Sequence, residues 1–365
     1  GIIDDKEIAR INEELAKDGE KHKIQDLEKE NLKPEIEKVN FGEMKKYDEM
    51  GKIENNLTIE NKDNKIEENI DFNSKKENNN LNLKSKSNFE NINFTINENI
   101  DLVIAISQSG KSASTISALK YVKKYKNIPS IAITSNNMSI IAKESNMILD
   151  LGIGIEQVGF VTKGFSATVL NLFLLAIILA KEKKLISTNQ KEVYLKELNI
   201  IIENIPQVIL KTENFIKEKK EIFLNAKRFI GIGYGACFGL VKEFETKFTE
   251  TIRLPSQGFE LEAYMHGPYL EANKEHIIFY FDNKGKLSQR LFLLKDYMMP
   301  YIKQNFVIAL DSGDINLNLN LNEHLATLLL IIPIQIMSYR IAEIKEIDLN
   351  IKIFEDFDKV LKSKI

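Results

Sequence analysis

The pattern of apolar and polar positions changes sharply at Asp101. Leu102 to Ile106 is a short apolar, β-branched run, Ser107-Gln108-Ser109-Gly110 is polar, and Ala113 to Lys124 returns to apolar residues at helical spacing. This predicts a strand, a loop and a helix. The signal repeats with a strand at Ile131 to Thr134, a helix around Ser139 to Glu144 and a strand at Met147 to Leu151. A long helical region follows from Thr162 to about Lys183, with amphipathic helices from Gln190 to about Phe223. A second series begins at Arg228 to Ile232 and continues through Gly233-Tyr234-Gly235, a helix to about Thr251, a strand at His276 to Phe281, a helix at Leu287 to Ile302 and a strand at Asn305 to Leu310. Strands that alternate with helices predict an α/β fold of parallel sheets covered by helices on both faces.

Before Asp101 the pattern is different. Glu7 to about Lys46 is charged and reads as solvated helices, while Glu54 to Asn99 is crowded with Asn, Lys and Glu. The second stretch buries too little apolar surface to offset the entropy of ordering it, so mobility is expected there. The organisation expected is therefore a charged, Asn-rich segment at residues 1–99, a first domain at 100–205 carrying the Ser107 loop, and a second domain at 206–365, with a boundary near Pro206.

Composition narrows the function classes. A length of 365 residues accommodates two ordinary domains, and a formal net charge of −3 with 28% charged residues gives no field that favours nucleic acid. The one cysteine, Cys237, excludes internal disulfides and multi-cysteine metal sites. His22, His266, His276 and His324 are scattered without ligand spacing, so no metal is expected. No leader pattern opens the sequence, and the apolar run Ala167 to Ala180 contains Asn171 and falls short of the ~20 residues that span a bilayer. A cytoplasmic protein without a membrane role is the expectation.

Two groups of residues carry candidate chemistry. A strand ending in Ser107-Gln108-Ser109-Gly110 and turning into a helix gathers hydroxyls, backbone N–H groups and the positive end of a helix dipole, with Ser112 and Thr115 in the first turn. That combination suits an anion, although Ser and Gly also serve as ordinary turn and cap residues. Farther on, Glu243, Lys247 and Glu250 are spaced to share one helix face, and His266 precedes the chain-reversing Gly267-Pro268. A Glu/Lys/Glu face taken alone reads as a solvated salt-bridge stripe. Gly231-x-Gly233-x-Gly235 lacks the acidic ribose partner of a dinucleotide site.

In combination these motifs resemble the sugar isomerase (SIS) domain family. Ser107-Gln-Ser-Gly-Lys-Ser-Ala-Ser-Thr115 looks like its phosphate loop, and Glu243-Phe-Glu-Thr-Lys247-Phe-Thr-Glu250 with His266-Gly-Pro is similar to the elements of the isomerase domain of glucosamine-6-phosphate synthase. Gly154-Ile-Glu156 through Thr162-Lys163-Gly164 resembles that family's Glu and Thr-Lys element. The resemblance implies two doubly wound, flavodoxin-like three-layer α/β/α SIS-type domains, a homodimer, no cofactor, and a phosphorylated sugar or amino sugar as ligand. It also implies that Ser107, Gln108, Ser109, Ser112 and Thr115 hold the phosphate. Glu250 would move a proton between C1 and C2, with Lys247 and Glu243 beside it, and His266 would assist ring opening, often from the partner subunit. Lys359 or Lys362 in the C-terminal tail would fold over the site.

The sequence departs from the family in lacking a Gly/Ser-rich loop before Asp101, and it contains no glutaminase part, so glutamine-driven synthesis is not expected. The expected activity is that of an isomerase or deglycase for phosphorylated sugars. A sugar-phosphate sensor without turnover is the alternative, and a purely structural dimerisation module leaves the clustered polar residues unexplained.

Overall fold

Strand β1 (Val103–Ile106) is the first strand of the computed structural model among its described residues, 99–125 and 127–364. The expectations for residues 1–98 lie outside the described residues. Helix α1 (Ala113–Tyr125) leads to β2 (Ser130–Thr134), α2 (Ile140–Glu144) and β3 (Met147–Asp150). These strands form a parallel three-stranded sheet in the order β1-β2-β3, with Ile104 opposite Ile131 and Ile131 opposite Met147. One face packs on α1 and α2 through Ala105, Ile116, Leu119, Ala132 and Ile141. The other face leaves Ile104, Ile106 and Met147 exposed.

Helices α3 (Lys163–Glu182), α4 (Thr188–Glu218) and α5 (Lys220–Asn225) connect the two sheets. Ser187 caps α4, accepting from the Gln190 amide while the Gln190 side chain accepts from the Ser187 amide. Pro206, where the sequence suggests a boundary, lies inside this helix. The second sheet contains β4 (Arg228–Gly233), β5 (Ser256–Glu260), β6 (His276–Asp282), β7 (Gln304–Ala309) and β8 (Ile315–Asn316), all parallel, in the order β5-β4-β6-β7-β8. Its helices are α6 (Cys237–Ile252), α7 (Leu261–Met265), α8 (Ser288–Met298) and α9 (Thr327–Ile344), and α10 (Phe357–Leu361) lies in the tail. Both sheets are parallel with flanking helices, the α/β class that the alternation predicts.

The principal core belongs to the second sheet. Phe223, Phe229, Phe244, Phe248, Phe279, Phe281 and Phe306 are buried in one cluster, with Phe229 and Phe248 edge to face at 5.3 Å between ring centres. Helix α9 is buried along most of its length against α4 and α6. By length and composition α3 and α9 could cross a membrane, but α9 is a core helix, and α3 packs Phe165, Val169, Leu170, Phe173 and Leu174 on the same cluster.

Close approach fixes where α6 lies. A Cβ on Gly258 would sit 1.9 Å from the Val241 carbonyl oxygen, so only glycine lets β5 touch this helix. The buried positions of α6 recur as Leu240, Val241, Phe244, Phe248, Thr251 and Ile252, and Lys247 falls within that face. The charged group predicted as one helix face is thus turned partly inward.

Candidate functional site

The loop after β1 is built around Ser107, whose amide extends the sheet ladder to the Ile133 carbonyl at 3.0 Å. Its buried hydroxyl donates to Ser112 Oγ at 3.1 Å and accepts from the Ser112 amide at 3.4 Å, while the Gly110 amide donates to the Ser107 carbonyl at 3.0 Å. Ser109 Oγ accepts from the Lys111 amide at 3.3 Å. Gly110 has φ +70°, and a Cβ there would lie 2.1 Å from Ser139 Oγ. The loop therefore folds tightly at the N-terminus of the 13-residue α1, an electropositive end suited to an anion. Thr115 is half-buried on the following turn.

Gln108, Glu156, Thr162 and Lys163 converge beside that loop. The Gln108 amide donates to the Gly154 carbonyl at 3.3 Å, and a Cβ on Gly164 would come within 2.9 Å of Gln108 Cγ. Glu156 Oε1 accepts from the Thr162 and Lys163 amides at 3.1 and 3.2 Å, and its Oε2 accepts from the Gly164 amide at 2.8 Å. Its carboxylate thus caps α3, where it meets the positive end of the helix dipole. Lys163 Nζ donates to the Ile153 carbonyl at 2.9 Å, which holds the 153–163 loop closed.

On α6, Lys247 Nζ lies 3.7 Å from a Glu243 oxygen and is hydrogen-bonded to Glu250. Lys247 and Glu243 are largely buried, and Glu250 is the most open of the three. Burial pushes the Glu243 carboxyl up to about 7, partly offset by the Lys247 ammonium and reinforced by the Glu250 charge. A carboxyl poised near neutrality beside a second carboxylate can exchange protons at ordinary pH.

Helix α9 ties these groups together. Gln335 donates to the Thr162 carbonyl at 3.2 Å and to Ser166 Oγ at 2.9 Å, while Thr251 Oγ1 donates to the Ser338 carbonyl at 3.0 Å. Gln335 and Ser338 are one helical turn apart, a rise of about 4.5 Å. Thr162 is adjacent to the Gln108 loop and Thr251 follows Glu250, so one turn of α9 anchors both.

The tail reaches the loop as well. The Ala113 amide at the start of α1 donates to the Ser363 carbonyl at 3.1 Å, and Ser112 forms a β-bridge with Lys364. Lys364 pairs with Asp358 at 2.9 Å, and Lys359 and Lys362 are exposed. His266 is exposed at the end of α7, on the side of Glu262, whose carboxylate is held low by its bond to Arg290. Among the described residues no hydrogen bond or ion pair joins His266 to the Glu243, Lys247 and Glu250 group, and no group of three metal-ligating side chains gathers.

The corresponding loop of the second sheet is built differently. Tyr234 fills it, donating to the buried Asp282 carboxylate at 2.6 Å and accepting from the Gly285 amide at 2.9 Å, and Ser288 donates to the same carboxylate.

In comparison with known proteins, residues 91–178 match the family model for the SIS domain. That match spans about a quarter of the chain and includes the Ser107 loop. Relatives of this protein include the isomerizing glutamine–fructose-6-phosphate aminotransferase of Methanosarcina mazei, 27% identical over 65% of this chain and 40% of the relative. The enzyme of the same name from Helicobacter pylori is 30% identical over 48% of this chain and 29% of the relative. The chain thus spans less than half the length of these curated relatives. Among solved structures, a candidate phosphosugar isomerase of Clostridium difficile 630 matches with TM-score 0.66 and 28% identity over 71% of this chain and 74% of that one. A glucosamine-6-phosphate deaminase of Thermotoga maritima, TM-score 0.60 and 23% identity over 72% and 75%, shares the fold.

Sequence reading missed two features. The raised Glu243 carboxyl follows from burial, which spacing does not reveal. Gln335 had a visible signal, a lone amide within the apolar run Leu328 to Met337.

Proposed function

We propose that this protein binds a phosphorylated sugar and interconverts its aldose and ketose forms, or releases an amine from a sugar-phosphate adduct. The reading is supported by one observation above all: the anion-ready loop and the Glu243, Lys247 and Glu250 group are anchored to the same turn of α9 through Gln335 and Ser338. The names of its relatives, aminotransferase, phosphosugar isomerase and deaminase of phosphorylated sugars, agree with that ligand class.

In this mechanism Ser107, Gln108, Ser109, Ser112, Thr115 and the α1 amides hold the phosphate. Glu250, the more open carboxylate, takes the proton from the carbon beside the carbonyl and returns it to the neighbouring carbon, through an enediol or enolamine. Lys247 steadies the negative charge that develops. Glu243, with its raised carboxyl, relays a proton to or from the sugar oxygens. In the deglycase form, water adds to the resulting imine and the amine leaves. His266 assists ring opening from a second copy of the chain, and Lys359 or Lys362 closes over the ligand. A cytoplasmic homodimer is the matching assembly, and the exposed apolar positions Ile104, Ile106 and Met147 give a second copy something to cover.

The test is to incubate the full chain with glucose, fructose, glucosamine and fructosamine 6-phosphates, following interconversion by NMR and amine release by a coupled assay. Turnover of at least one, abolished by Glu250→Gln with binding retained, is the expected result. Binding without turnover of any of them would refute the enzymatic reading. It would leave a sugar-phosphate sensor, which the Ser363 carbonyl on the Ala113 amide also favours, because the tail already occupies one donor of the cradle.

A further inference from the structure

A cavity of about 410 Å³ opens at the N-terminal end of strands β4 and β5, beside the C-terminal end of α6. It is lined by Arg228, Thr249, Arg253, Leu254, Pro255, Ser256 and Gln257, so its wall holds two guanidinium groups and no carboxylate. None of the residues assigned above to sugar-phosphate binding or proton transfer belongs to that lining.

Two donors, the Arg253 guanidinium and the Gln257 amide, are open to an occupant. Arg253 is exposed and forms no ion pair or hydrogen bond among the described residues through its side chain. Arg228 is bonded on one side to Glu271, at 2.6 Å, and to Gln257 Oε1, yet its Nε–H is buried without an acceptor. Because the Gln257 oxygen is taken by Arg228, the amide is oriented with its NH₂ end unused. The hydroxyls are already spent, since Thr249 donates to the Ser256 carbonyl at 3.4 Å and Ser256 donates to the Leu254 carbonyl at 3.1 Å.

A wall with only cationic and neutral donors excludes a cation and favours an anion, and the open Arg253 fork, with the Arg228 charge behind it, suits the oxygens of a phosphate group. The volume lies in the range of small-molecule sites and exceeds what a bare ion needs. We infer that this cavity is a second anion site, for a small phosphate monoester, separate from the loop at Ser107.

Isothermal titration of the full chain with glycerol 3-phosphate tests the assignment, with lactate as the carboxylate control. Arg253 sits at φ 58° and ψ 31°, a conformation that glycine adopts freely, so Arg253→Gly removes the guanidinium without straining the fold. Binding at this site is expected to weaken tenfold to about a hundredfold in Arg253→Gly, to persist in Ser109→Ala, and to be absent for lactate. Identical titrations of wild type and Arg253→Gly overturn the inference. So does loss of all binding in Ser109→Ala, because the ligand would then occupy only the Ser107 loop. Lactate binding as tight as the phosphate ester would overturn the phosphate assignment. Arg253-dependent binding with an inert Ser107 loop would leave this site standing and count against the proposed function instead.

Discussion

Replacing Glu243 by Gln keeps the size of the side chain and removes its ionisation, and the consequence depends on pH in a defined direction. Burial raises this carboxyl from about 4.5 to about 7, so the folded protein holds a proton there that the unfolded chain releases at lower pH. The folded state binds more protons between those values, and stability from this group is therefore full below about pH 4.5 and is lost as pH rises through 7. A rise from 4.5 to about 7 corresponds to about 3 kcal/mol, an upper bound because solvent also reaches the charged form. Urea denaturation of wild type and Glu243→Gln at pH 5, 6, 7 and 8 measures it. The wild type should lose up to about 2 kcal/mol relative to the variant between pH 5 and 7.5, and little more above that. Parallel stability curves for the two proteins over this range would refute the reasoning, since they would mean that Glu243 ionises alike in the folded and unfolded states.

Three further outcomes follow from the packing. Gly110→Ala forces a Cβ to 2.1 Å from Ser139 Oγ at a left-handed residue, and is expected to cost about 2 to 5 kcal/mol and to abolish sugar-phosphate binding, both read by thermal shift with and without ligand. Phe244→Ala empties a fully buried ring position against Phe248 and should lower stability by about 3 to 5 kcal/mol in chemical denaturation. Gln335→Leu leaves the Thr162 carbonyl and Ser166 hydroxyl without this donor, so a loss of about 1 to 3 kcal/mol is expected, together with weaker ligand binding in calorimetry that Phe244→Ala does not reproduce beyond its stability effect.

The amino-acid sequence alone was enough for most of the elements and for naming the two candidate groups of polar residues. Short β-branched runs such as Leu102 to Ile106 and His276 to Phe281, and the helical spacing of Leu240, Phe244 and Phe248, are local patterns whose period depends only on backbone geometry. The Ser107 loop was legible for the same reason, because Gly110 and the serines around it act over a few residues. Strand β5 was not, since Ser256-Gln257-Gly258 carries little apolar signal and is held as a strand by pairing with β4.

What the tertiary structure decided involves residues far apart in the chain. Gln335 meets Thr162, Thr251 meets Ser338, the tail carbonyl of Ser363 meets Ala113, and Tyr234 shuts the second loop against Asp282. Such contacts depend on how helices lie across sheets, which no local period encodes. Burial is also a property of the assembled core, so the sequence could place Glu243 near Lys247 but could not say that its carboxyl would hold a proton near neutral pH.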